Sequence, residues 1–119
     1  MAIAARAPGK LVALGEYAVL DGAPALVLAV DRYASAEISP SDDRACHLRT
    51  LTPEAIERAF APAEPSGSEL VDLVTAASPG AAAWRGTLDS SAFYDGGTKL
   101  GIGSSAAALC AWAGAWAAH

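Results

Sequence analysis

Residues 99–107 read Lys99-Leu100-Gly101-Ile102-Gly103-Ser104-Ser105-Ala106-Ala107, and the character of the whole C-terminal segment turns on them. Two glycines at i and i+2 permit positive φ and let backbone amides come close to a ligand. The serine pair offers hydroxyls, and the alanine-rich run behind it is a strong helix former. A glycine-rich loop feeding a helix N-terminus leaves N–H groups unpaired beside the positive end of the helix dipole, which suits phosphate. Three readings fit. One is a plain turn with Ser104 as N-cap. A second is a dinucleotide fingerprint, since Gly101-x-Gly103-x-x-Ala106 satisfies G-x-G-x-x-A. However, Tyr94–Lys99 is no buried strand, and an acidic ribose ligand about 20 residues on would fall beyond His119. The third is a phosphate loop of another kind, because no G-x-x-x-x-G-K-[ST] occurs.

Working upstream, the second informative stretch is Ala7-Pro8-Gly9-Lys10, which continues to Gly15-Glu16-Tyr17-Ala18-Val19-Leu20. Pro8-Gly9 reads as a turn that presents Lys10 at the start of a strand, a rigid place for a functional cation. The chain's only lysines are Lys10 and Lys99, and each stands beside a glycine-bearing element. In an acidic chain that placement suits phosphate binding better than general solubility. Arg6 and Arg32 read as solvated, Asp42-Asp43 as a solvated turn, and Glu16 as either a substrate contact or the partner of a nearby cation.

The remaining pattern supplies the scaffold. Residues 2–6 and 11–14 read as short strands, 25–30 as a buried strand, and 33–39 as a half-exposed antiparallel strand by its alternation. Cys46–Leu51 reads as another strand. Thr52-Pro53-Glu54 has the form of a helix start, with Thr52 as N-cap, and predicts a helix to about Phe60. After the Pro62/Pro65 connector, Ser68 caps a helix over 69–77 with Leu70, Leu73 and Val74 on one face. Trp84–Leu88 reads as a strand, 89–98 as loop, and the segment from Ser104 onward as helix. Strands first and helices later point to α+β.

Composition narrows the function. In 119 residues, enough for one domain or part of one, 53% are hydrophobic and 18% charged, which excludes wholesale disorder. Eight basic against thirteen acidic side chains give a formal charge of −5, which argues against non-specific nucleic-acid binding. Any anionic ligand must therefore be held by local positive groups. Cys46 and Cys110 form no C-x-x-C, and with only His47 and His119 no metal-ligand cluster arises, so reduced thiols in a cytoplasmic protein are expected. No signal peptide is evident. Leu100 to Ala118 carries no charge, but its alanine content favours a buried helix over a membrane span.

At the two quoted stretches the sequence resembles the GHMP kinase superfamily, in which galactokinase, homoserine kinase, mevalonate kinase and phosphomevalonate kinase are grouped. Ala7-Pro8-Gly9-Lys10 through Gly15-Glu16-Tyr17-Ala18-Val19 resembles its first motif. Gly101-Ile102-Gly103-Ser104-Ser105-Ala106-Ala107 resembles its second, with Ile102 where Leu is usual. Tyr17, at a position where mevalonate kinases usually carry His, and Lys99 ahead of the loop are most similar to the phosphomevalonate kinase branch. The resemblance implies a ribosomal-protein-S5-like N-terminal domain with a mixed or antiparallel sheet, helices on one face and a left-handed β-α-β unit. It implies ATP phosphates over Lys99, Gly101, Ile102, Gly103, Ser104, Ser105 and Ala106, with Ser105 reaching Mg²⁺. Lys10 would serve catalysis, and Lys10, Glu16 and Tyr17 would face a small phosphorylated substrate such as 5-phosphomevalonate. Mevalonate or another small-molecule acceptor, or an inactive binding fragment, are the alternatives. The family's acidic residue, third glycine-rich motif and C-terminal domain have no counterpart in 1–119, so the resemblance implies an incomplete N-terminal domain.

Overall fold

The computed structural model describes residues 1–80 and 82–119. Five strands, β1 (Ile3–Leu14), β2 (Leu26–Pro40), β3 (Cys46–Leu51), β4 (Ala55–Phe60) and β5 (Trp84–Asp89), form one sheet in the order β1-β2-β5-β3-β4. Neighbours are antiparallel except β3 and β5, which run parallel. Helix α2 (Ser104–Ala118) packs on β1 and β2, and α1 (Glu69–Ala77) packs on α2. A two-stranded ribbon of β6 (Tyr94–Asp95) and β7 (Thr98–Lys99), turned at Gly96-Gly97, leads into α2. The architecture is α+β with a mixed, mostly antiparallel sheet, as the order of elements in the sequence predicts.

A period of two builds the core. Along β2, Ala34, Ala36 and Ile38 are buried while Ser35 and Glu37 face out. Cys46 and Leu48 of β3 and Trp84 and Leu88 of β5 continue the same inner surface. From α2, Ala107, Ala108, Ala111, Trp112 and Ala115 close over it. The uncharged C-terminal run is thus a 15-residue helix with one side on the sheet. Among the described residues no helix is long and apolar enough to cross a membrane.

Four sequence expectations need correction. Pro8-Gly9 does not turn the chain; β1 runs through it, with a register shift between Pro8 and Gly9. Pro8 is tolerated because β1 is an edge strand, so its missing N–H can face away from the ladder. Likewise 25–30 and 33–39 belong to the single strand β2, and the expected burial of 25–30 fails, since Leu26, Val27 and Leu28 are exposed. The helix expected from Thr52 to Phe60 is instead β4, an edge strand paired with β3 from Cys46↔Phe60 to Leu51↔Ala55. Its residues alternate, with Ile56, Arg58 and Phe60 against Glu57 and Ala59, and strand pairing overrides the local cap signal. Finally, α1 is capped by Ser68, whose hydroxyl accepts from the Val71 amide at 3.4 Å, but it buries Val71 and leaves Leu73 63% exposed.

Candidate functional site

The two sequence stretches meet through the backbone. The Lys10 amide donates to the Ile102 carbonyl at 2.8 Å, so the glycine-rich loop docks on β1. Gly9 makes this approach possible: a Cβ there would lie 2.6 Å from the Ile102 oxygen and 2.6 Å from Phe93 Cε1. Phe93 is itself fully buried, and its carbonyl accepts from the Leu100 amide at 2.9 Å. The loop is thereby pinned at Leu100 and at Ile102, one residue either side of Gly101.

The helix start departs from the plain-turn reading. Gly103, not Ser104, holds the N-cap position, at φ +80°, and no side chain caps the helix. Its left-handed backbone is costly for any residue with a Cβ. Gly103 also makes room for Lys10, since a Cβ there would stand 3.1 Å from Lys10 Cγ and 3.3 Å from Cε. The lysine stem thus lies along the loop. The opening amides of α2 have no intrahelical acceptor and no capping side chain, so they remain available to an anion. Ser104 is buried, whereas Gly101, Ser105 and Ala106 are exposed.

Beside this loop is a cleft of about 280 Å³. Lys99, Ser104 and Ser105 line it at the helix start, and Leu48, Ile56 and Leu70 give it an apolar wall. Ser90, anchored through its amide to the Leu51 carbonyl at 3.0 Å, and Tyr94 complete the loop side. The lining contains Arg58 and Lys99 but no carboxylate. In a chain of net charge −5, this is a local reversal of sign. Sequence reasoning missed Arg58, because the helix expected over 53–60 hid the period of two that turns it toward Ile56.

Glu16 and Tyr17 are not gathered here. They follow the end of β1 beyond Leu14, which at about 3.3 Å per residue puts the hairpin tip ~13 Å or more past Lys10. Both are exposed, and Tyr17 is held at φ +65°. Arg6 and Arg32 are less free than expected: the Arg6 guanidinium lies 4.4 Å over the Tyr33 ring, and Arg32 donates to the Ala92 carbonyl at 2.8 Å. Asp42 and Asp43 are more than a solvated turn, since Arg85 reaches Asp42 at 3.4 Å and His47 reaches Asp43 at 2.8 Å. Burial pushes the Cys46 thiol above its ordinary pKa, which keeps it protonated. No group of three metal-ligating His, Cys, Asp or Glu side chains occurs among the described residues.

No protein-family model matches the chain. A curated phosphomevalonate kinase from Streptomyces sp. (strain CL190) is 54% identical over 41 residues, 34% of this chain and 11% of that protein. Among solved structures, Streptococcus pneumoniae phosphomevalonate kinase in complex with phosphomevalonate and AMPPNP superposes with a TM-score of 0.72 at 23% identity. The match covers 98% of this chain and 36% of that one. The Lin0012 protein from Listeria innocua gives 0.76 at 25% identity over 99% and 36%. Methanococcus jannaschii mevalonate kinase gives 0.74 at 15% identity over 99% and 40%. The chain therefore spans well under half the length of the proteins it matches. In fold it resembles the N-terminal part of GHMP kinases, and over its matched residues in sequence it resembles a phosphomevalonate kinase.

Proposed function

We propose that residues 1–119 form the nucleotide-binding part of an ATP-dependent kinase that phosphorylates 5-phosphomevalonate. The observation that carries the reading is the junction of Lys10 with Ile102 and Gly103, beside a cleft lined by cations and free of carboxylates. Phosphoryl transfer needs in-line positioning and neutralisation of charge on the transferred group more than it needs covalent help. In this reading the α2 amides and Lys99 hold the ATP phosphates, and Lys10 stands by the transferred phosphoryl group and its acceptor. Ser105, exposed on the cleft, suits Mg²⁺, which binds through one or two protein oxygens together with substrate phosphates. When bound, Mg²⁺ offsets negative charge on the phosphate oxygens. Glu16 and Tyr17, at the hairpin tip past Lys10, would meet the acceptor only at its end remote from the transferred phosphoryl group.

The 54% identity over 41 residues to a curated phosphomevalonate kinase favours a phosphate acceptor over a hydroxyl. A phosphate is already ionised near neutral pH, whereas a hydroxyl calls for a general base. Two polyanions then have to be held together, and positive potential is what the described residues supply.

Coupled ADP release with 5-phosphomevalonate, run beside mevalonate, tests the reading. Turnover with the phosphorylated acceptor alone is expected, and turnover with mevalonate alone would reassign the acceptor. No ADP from either would leave a binding module without catalysis. Lys10→Met is expected to lower kcat by about 10²-fold or more, with a much smaller change in ATP affinity; equal turnover would remove Lys10 from the mechanism.

A further inference from the structure

Arg58 stands in the middle of β4 opposite Leu48, and with Lys99 it supplies the cations of the cleft. Four of the chain's five other guanidinium groups are engaged elsewhere in the fold. Arg49 faces Glu57 at 3.4 Å, Arg85 faces Asp42 at 3.4 Å, Arg32 bonds the Ala92 carbonyl, and Arg6 covers Tyr33. Arg58 takes part in no ion pair or side-chain hydrogen bond among the described residues. Its guanidinium instead rests on Gly67, where a Cβ would overlap Nη1 and lie 2.9 Å from Cζ. Gly67 also sits at φ +84°, so this wall of the cleft is built for a residue without a side chain.

The cleft has two chemically distinct ends. Lys99, Ser104 and Ser105 mark one, where the proposed function puts phosphate. Leu48, opposite Arg58 across the β3–β4 pair, and Leu70 mark the other, with Ile56 level with Thr50 between the two. Along β3, Leu48 lies two residues, about 6–7 Å, further from the loop than Thr50, which also lines the cleft. A nucleotide with its phosphates on the loop therefore carries its base toward Arg58. A guanidinium is planar and weakly hydrated and stacks on aromatic faces, which an ammonium does much less well. Resting on that nucleotide reading, we infer that Arg58 is a specificity-determining residue that stacks on the heteroaromatic base of the bound nucleotide, with Gly67 backing its guanidinium.

Calorimetric titration of the chain with ATP, ADP and inorganic tripolyphosphate tests this. Because Arg58 is exposed, Arg58→Ala should leave the fold intact. It is expected to weaken ATP and ADP by the same factor, about 5- to 30-fold, and to leave tripolyphosphate unchanged. Arg58→Lys should not recover the loss, and Gly67→Ala should reproduce much of it with Arg58 still present. ATP binding to Arg58→Ala as tight as to the parent would overturn the inference. So would a parallel loss of tripolyphosphate affinity, or full recovery in Arg58→Lys. A parent chain that binds tripolyphosphate as tightly as ATP would overturn the base contact while sparing the phosphate loop. A parent that binds neither would overturn the nucleotide reading itself.

Discussion

Asp43 shows how far a single exposed side chain can be drawn from its ordinary chemistry. The Ser41 hydroxyl donates to it at 2.8 Å, the Ala45 amide at 3.1 Å, and His47 reaches it at 2.8 Å. These contacts, led by Ser41, favour the carboxylate and hold its pKa at about 2 instead of 3.8. Because the folded pKa is the lower one, the stabilisation is fully present above the unfolded value and is lost as pH falls through the folded value. The expected outcome is a carboxyl resonance titrating near 2, and an Asp43→Asn chain whose stability changes less steeply between pH 4 and pH 2. A titration midpoint near 4 would contradict the contact geometry. At this scale the sequence singled out Lys10, Lys99, Gly101 and Gly103, and the structure adds the contact of Lys10 with Ile102 and Gly103. It could not assign Arg6 to Tyr33 or Arg85 to Asp42, because those partners are distant in the chain.

At the scale of elements, the docking of the loop on β1 depends on one missing side chain. Gly9→Ala puts a carbon where the Ile102 carbonyl and the Phe93 ring already stand. The expected cost is about 1–3 kcal/mol in denaturant unfolding, together with weakened nucleotide binding, because the strand and loop must separate. Unchanged stability and binding would mean that the joint gives way freely. Segments whose burial alternates, such as β5 and the 33–39 half of β2, were legible in the sequence, as were α2 from its alanines and α1 from its Ser68 cap. β4 was not, because Thr52-Pro53-Glu54 is a sound local helix signal and the pairing that overrides it comes from β3. β1 was read as two strands because Pro-Gly ordinarily breaks a strand, and nothing local announces that this strand has a free edge.

For the whole molecule, Trp112 holds the layers together. It is fully buried, its ring centroid lies 5.4 Å from that of Trp84, and its indole N–H has no acceptor among the described residues. Trp112→Ala is expected to cost about 3–5 kcal/mol. Trp112→Phe should cost much less, because it also discards a buried donor that lacks a partner, a penalty of about 1–3 kcal/mol. Equal losses for the two, measured by urea unfolding, would show that the orphaned donor carries no penalty. The cleft belongs to this scale too. Its lining comes from β3, β4, α1, β5, the ribbon and α2, which is why no single stretch of sequence disclosed it.

The bond between the Lys10 amide and the Ile102 carbonyl also orders events in time. Lys10 leaves the ribosome before Ile102, which follows about 5–18 s later at ordinary rates of synthesis. Until then the nascent chain can pair β1 with β2 but has no anchored anion cradle. On the proposed function, phosphate affinity is therefore acquired abruptly, once Ile102 has been made, and a product terminated before that point would be blind to nucleotide however well its sheet had formed.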